Sequence, residues 1–361
     1  MSLKRRLAGA SRVPTDEGLA SWTSNGDSGG NGRPKTGLKV TKMSDVTAED
    51  VQWLWSGWLA VGKCHLMVGQ PDIGKSFVST SFASTITIGG KFPDGSRCPT
   101  TGEVLFLAGE DGKADTIRPR LDAHGADASK VFVIDGQQIQ DGEGKVIERG
   151  IRLDVDIADI DQFLADHPDV RVWFIDPISE FLGRADSHKD ADVRQILGPL
   201  AGLAEKYRVA IVYITHFNKS NVGPALYHAM GSLAFAAQVR VAFGFIRDYE
   251  NEDRVLVLPL KNNIHRKVPG RVYRLIDDRV EWEPDGIHVT ADEALDPPKQ
   301  ARGDKLAEVV ECLKQRLSAG CVDADTLDQD ALDAGISKST LQRARKVIGV
   351  VSTKSRLEWH G

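Results

Sequence analysis

The residues of this 361-residue chain best suited to chemistry are the octet Gly69-Gln70-Pro71-Asp72-Ile73-Gly74-Lys75-Ser76. Its spacing is GxxxxGK[ST]; an apolar run ends just before it and the helix-like stretch Phe77 to Ile88 follows. A glycine-rich turn between strand and helix lets backbone N–H groups curl round a phosphate at the helix N-terminus. Lys75 then adds a point charge toward the β- and γ-phosphates, and the Ser76 hydroxyl is placed to ligate Mg²⁺. The expected nucleotide contacts are Gly69, Gln70, Pro71, Asp72, Ile73, Gly74, Lys75, Ser76 and Phe77, with ATP and Mg²⁺ as cofactors. Asp72 departs from the small residue that many such loops carry, and it brings a carboxylate near the phosphates.

Phosphoryl transfer needs two further carboxylates, one for the metal and one to orient the attacking water. Asp176 closes the apolar run Val172-Trp173-Phe174-Ile175 and suits the metal together with Ser76. Pro177 follows it, so no acid stands beside it and the water-orienting group must come from another strand end. Ligands of open α/β sheets gather at the carboxyl ends of the strands. Glu110, just past the run Glu103 to Ala108, is the candidate catalytic base, with Asp111 and Glu180 as alternatives. His216 closes Val209 to Thr215 at the same edge and is placed to sense the γ-phosphate.

These groups require a scaffold of strands. Short apolar runs, Cys64 to Val68, Glu103 to Ala108, Val131 to Ile134, Val172 to Ile175 and Val209 to Ile214, alternate with helix-length segments. Runs apolar at every position imply strands buried on both faces of a mainly parallel sheet, hence the α/β class. After Gly231, Val239 to Ile246, Arg254 to Leu260 and Val272 to Trp282 read as closely spaced strands in antiparallel hairpins extending the same sheet. The expected organisation is a flexible tail over 1–45, a nucleotide-binding domain over 46–285, a linker over 286–303 around Pro297-Pro298, and a second domain over 304–361.

At 41% hydrophobic and 27% charged residues the chain can bury a sizeable core. No run approaches the roughly 20 apolar residues of a membrane helix, and none backs Lys4-Arg5-Arg6 as a signal peptide would require, so a cytoplasmic, non-membrane protein is expected. Four cysteines without a CxxC pair support neither a disulfide framework nor a zinc knuckle. The net charge of −5 divides into +5 over residues 1–42 and −10 beyond, which excludes a coat of positive charge but not a local basic groove.

Over about residues 50 to 265 the order of motifs resembles the RepA-like branch of the RecA/DnaB-type ring ATPases, the hexameric helicases of plasmids, phages and integrated elements. In that family the catalytic glutamate follows the second core strand, as in Phe106-Leu107-Ala108-Gly109-Glu110-Asp111; an AAA+ arrangement would put the acid next to Asp176. The resemblance implies a RecA-like sheet with helices on both faces and Arg120 packed on the nucleotide base. It implies a central loop after Thr215-His216-Phe217-Asn218-Lys219-Ser220, with Lys219 on a DNA backbone. Arg240, nine residues after Gly231-Ser232, then corresponds to the arginine finger that completes a neighbour's site, and Lys261 of Lys261-Asn262-Asn263 joins it at that interface. His228-Ala229-Met230 and Asn263-Ile264 depart from the family pattern and bear on loop chemistry, not nucleotide binding. Implied partners are further copies in a head-to-tail hexamer, single-stranded DNA in its pore, and a primase or initiator protein.

In the last segment Leu306, Val309, Val310, Leu313 and Leu317 follow helical spacing, and Lys338 to Ile348 reads as a second helix after the turn Ala334-Gly335-Ile336-Ser337. Residues 337–356 carry six Lys/Arg and no acid, which suits a helix-turn-helix with a short wing from Val350 to Trp359. Lys338, Arg343, Arg345 and Lys346 would face the phosphates of duplex DNA. The stretch 335–350 resembles the winged-helix tail joined to these ATPases in mobile-element replication proteins. The leading expectation is an ATP-driven, ring-forming DNA helicase or translocase; the alternative is an ATP-gated, DNA-binding replication regulator or loader without processive unwinding.

Overall fold

The computed structural model describes residues 40–361, apart from 141, 143, 184–188, 219–224, 229–232, 296–298, 319–321, 335, 337, 354–355 and 359–361. The chain divides between Glu49 and Asp50, and the described residues before that point include a 3₁₀ turn, Met43–Asp45. From Asp50 a hairpin, β1 (Trp53–Trp55) and β2 (Leu59–Ala60), leads into β3 (Cys64–Gly69), α1 (Lys75–Ile88), β4 (Glu103–Ala108), α2 (Arg118–Ala123) and β5 (Val131–Val133). A second hairpin, β6 (Gln137–Gln140) and β7 (Val146–Arg149), precedes α3 (Ile157–Asp166), β8 (Val170–Asp176), α4 (Asp190–Tyr207), β9 (Ala210–His216) and α5 (Leu233–Gln238). Strands β10 (Val241–Arg247), β11 (Val255–Asn262), β12 (Arg271–Ile276) and β13 (Arg279–Trp282) follow.

Nine strands form one sheet in the order β13-β12-β11-β10-β3-β9-β8-β4-β5. The six from β10 to β5 are parallel, and β11, β12 and β13 extend them antiparallel. One expectation needs correction: β10 is not purely a hairpin strand. It runs parallel to β3, with Val241 opposite His65 and Phe245 opposite Gly69, and only its other edge pairs antiparallel with β11. The long connection from β9 through α5 supplies the crossover that a parallel neighbour demands. The strand begins at Val241, and Val239 before it is buried in the same core as Ala234 and Phe235 of α5.

Alternate strand residues serve two cores. Leu66, Val68, Leu105, Trp173, Ile175, Ile211 and Tyr213 pack on α3, α4 and α5; Met67, Phe106, Phe174, Val212, Ile214 and Phe243 pack on α1, α2 and the β1–β2 hairpin. Helices thus cover both faces of a mixed α/β fold built on a large, mostly parallel sheet. The hairpin is held by stacking of Trp55 on Trp58, with ring centroids 4.7 Å apart.

Residues 286–303, expected as a linker, carry structure. Ile287 bridges to Gly270, α6 (Ala291–Leu295) lays Ala291 and Ala294 on Ile246, Leu256, Leu258 and Val272, and α7 (Lys299–Ser318) starts at Lys299. Beyond α7 come β14 (Val322–Asp323), α8 (Ala324–Asp333), α9 (Lys338–Ile348), β15 (Val351–Thr353) and β16 (Arg356–Glu358). Their strands make a separate small sheet, β14-β16-β15. Val309, Leu313 and Leu317 of α7 meet Leu327, Ala331, Leu341 and Ala344 in a core that shares no residue with the two large ones. Among the described residues no helix is long and apolar enough to cross a membrane.

Candidate functional site: a phosphate cradle at the strand ends

β3 ends at Gly69 and α1 begins at Lys75, so the octet spans the strand-to-helix turn. Gly74 sits at φ +90°, a conformation that favours glycine, and a Cβ there would come 2.8 Å from Leu275 Cδ1. Asp72 also lies in the left-handed region, at φ 56°. Its position therefore favours glycine for backbone reasons, and aspartate is among the few side chains that tolerate it. The loop is braced from β10 and β12, a support that no sequence signal announced. The Tyr273 hydroxyl donates to the Ile73 carbonyl, and Arg247 Nη2 donates to the Asp72 carbonyl at 3.4 Å.

Lys75 is buried, and its Nζ donates to the carbonyls of Gln70 (2.8 Å) and Gly69 (3.5 Å) and to His216 Nδ1 (3.2 Å). Burial pulls its pKa down, while the charges of Asp176, Glu110 and Asp72 oppose that. His216 lies opposite Gly69 in the β3–β9 register. Burial and then the Lys75 charge lower its pKa, and its Nδ1 lies against the Lys75 ammonium. Asp176 is pushed up to about 6, first by burial; the Ser76 hydroxyl and Lys75 pull it down, and Asp111 and Glu110 push it up.

Asp176 pairs with Ala108 across β8 and β4, so Glu110 emerges two residues past the same edge. Glu180 reaches back from the 3₁₀ turn Ile178–Phe181, and its carboxylate occupies the space beside Gly109 where a side chain would stand. Burial and then Glu110 raise its pKa. The candidate base and both alternatives thus share one edge with Lys75.

Arg120 lies nearby, its guanidinium 4.0 Å from the Phe77 ring centroid and its Nη1 2.9 Å from Asp111 Oδ2. A π-helical turn, Lys113–Ile117, introduces the helix that carries it. Ser76 and Asp176 offer hard oxygen donors side by side, and the carboxylates around them outnumber their cation, so the site fits Mg²⁺. Mg²⁺ bound there would offset charge developing on a transferred phosphoryl group.

The remaining expected residues are not gathered here. Arg240 is exposed at the start of β10, its N–H donating to the Cys64 carbonyl at the opposite end of β3. Five residues of strand, roughly 17 Å, separate it from Gly69. Lys261 lies at that lower edge and caps α5, its Nζ donating to the carbonyls of Ala236 (2.8 Å) and Ala237 (3.3 Å). Burial lowers its pKa, and the charge of Arg240 adds to this.

On α9 the basic residues do not form one free face. Arg345, expected on DNA, turns into the module and pairs with Asp328, its Nε buried without a partner because Leu341 and Ala344 draw that side of the helix into the core. Arg343 and Lys346 point outward, and Lys338 opens the helix. Lys219 and Gly231-Ser232 lie outside the described residues.

No curated protein matches the chain. A family model described as an AAA domain, AAA_25, matches residues 33–222, more than half of the sequence and the whole run from the octet through Asp176 to His216. Cradle, metal-side carboxylate and matched span agree, and the chain belongs to this AAA domain family of RecA/DnaB-like P-loop ATPases.

Proposed function

We propose that the chain is an ATP-driven, ring-forming DNA helicase or translocase serving replication of a plasmid, phage or integrated element. In this reading residues 304–361 form a winged helix-turn-helix that holds DNA. The observation that supports it is the split between sheet edges: Arg240 and Lys261 stand a strand's length from Lys75, too far to serve their own copy's phosphates, and in this reading they serve another copy's. A head-to-tail contact of that kind repeats, and it closes into a ring when the rotation permits.

Within one site Lys75 would turn its ammonium from the Gly69 and Gln70 carbonyls to the phosphates, and Glu110 would orient the attacking water and accept its proton. Arg240 of the next copy would offset the transition-state charge. His216 loses its Lys75 contact in that exchange and so registers the γ-phosphate. The loop that follows β9, with Lys219, would carry the change to single-stranded DNA in the pore.

The direct test measures ATP hydrolysis with and without single-stranded DNA, then strand separation on a forked duplex. Stimulated hydrolysis with unwinding is expected. Hydrolysis indifferent to DNA, without unwinding, removes the helicase; a sequence-specific footprint that persists in Glu110→Gln would establish the regulator or loader instead. Electron micrographs with a non-hydrolysed ATP analogue should show closed rings, and open helical filaments would contradict them.

A further inference from the structure

The turn joining β10 to β11, Asp248-Tyr249-Glu250-Asn251-Glu252-Asp253, places four carboxylates in six residues. It is held in shape from within: Asp248 accepts from the Glu250 N–H (2.9 Å) and binds Arg254 (2.6 Å), Asn251 accepts from the Asp253 N–H (3.1 Å), and Arg247 Nη1 donates to the Glu252 carbonyl (2.9 Å). The Glu252 side chain is left to reach outward, and it meets Arg343 of α9, Nη2 to Oε1, at 3.3 Å. On α9, Gln342, Arg343, Lys346 and Val347 share the exposed face, while Leu341 and Ala344 are spent on the module's core. The acidic turn therefore meets the one face of α9 that is open to a partner.

We propose that this turn is an internal occupant of α9's basic face, competing with a nucleic-acid phosphate backbone for Arg343. The competition rests on the reading of α9 as a DNA-contacting helix. Asp248 is buried on Arg254, so the turn offers α9 the single carboxylate of Glu252, which takes the place one phosphate oxygen would take on Arg343. Arg343 is largely solvated and Glu252 about a third exposed, so the turn changes an equilibrium by only about two- to five-fold. It acts as a reversible cover that selects for ligands engaging the whole basic surface.

The test uses the full chain. Asp253→Cys and Gln342→Cys, beside the pair and leaving it intact, are joined by a short bismaleimide in a Cys312→Ser, Cys321→Ser background, which leaves the buried Cys64 and Cys98 as the remaining native thiols. Cross-linking should be fast and should slow when Glu252→Lys is added. In the uncross-linked chain, Glu252→Gln should tighten binding to a DNA duplex by about two- to five-fold, Glu252→Lys by more, and Arg343→Ala should weaken it. Cross-linking indifferent to Glu252→Lys overturns the docking. Docking-dependent cross-linking with unchanged DNA affinity in Glu252→Gln and Glu252→Lys overturns the competition. Failure of every form to bind DNA overturns the DNA reading of α9, and the competition with it, while the cross-linking rate still reports the docking.

Discussion

The two edges of the central sheet are built from the same strands yet are opposite in chemistry. At the carboxyl ends one buried ammonium, Lys75, faces Asp176, Glu110 and Asp72; at the amino ends Arg240 and Lys261 crowd each other, and Lys261 spends its hydrogen bonds on backbone carbonyls. One edge has anions in excess and the other cations, so each is electrostatically incomplete alone. Strand polarity separates them: the six parallel strands send their carboxyl ends to one side, and antiparallel β11 brings its own carboxyl end, with Lys261, to the other.

The largest effect should come from the cationic edge. Arg240→Ala is expected to lower ATP turnover by about 10³ or more while nucleotide binding persists. Mixing it with Lys75→Ala subunits should restore activity, because intact halves then meet in hybrid sites. Unrescued mixtures would break the contrast between edges.

On the anionic edge, Glu110→Gln should cost about 10² or more in turnover, with Asp111→Asn and Glu180→Gln costing less. A larger loss in either of the latter would move the base to that residue.

Stability against pH separates the edges a third way. Asp176 rises from its ordinary 3.8 to about 6, so its ionised form burdens the nucleotide-free fold above pH 6, and that burden is lifted as the pH falls to 3.8. Asp176→Asn should stabilise the chain by up to about 3 kcal/mol at neutral pH, a gain that vanishes near pH 4. His65, near the other end of β3, is fully buried and pushed down to about 4 because its environment excludes the charged ring. Its contribution is complete above pH 6.5 and is lost as the pH falls toward 4, again by up to about 3 kcal/mol. The two slopes oppose each other between pH 4 and 6, so thermal unfolding should depend more steeply on pH in Asp176→Asn than in the parent. Parallel curves would show that burial does not govern both groups.

The smallest expected effect concerns the loop backbone. Asp72→Gly should raise stability to urea by no more than about 1 kcal/mol, by relieving a left-handed side chain.

Much of the anionic edge was legible because its groups follow strand ends within the chain: the octet, Asp176 and His216 each close an apolar run, and local pattern suffices to put them on one rim. Helix α9 was equally plain, with the same bounds from Lys338 to Ile348. What escaped depends on contacts distant in sequence. The parallel pairing of β10 with β3 joins residues 176 apart in the sequence, as in Val241 opposite His65, and no local period encodes a neighbour. Tyr273 and Arg247, which brace the cradle, lie far along the chain in strands that read only as hairpins. Arg345 looked like its neighbours in composition, and only the packing of Leu341 and Ala344 decides that it turns inward.

The small core around Leu313, Leu327 and Leu341 shares no residue with either large one. Exchange of the last sixty or so residues by recombination would therefore leave the interior of the ATPase fold untouched. A seam of this kind lets evolution replace the appended module without rebuilding the nucleotide site.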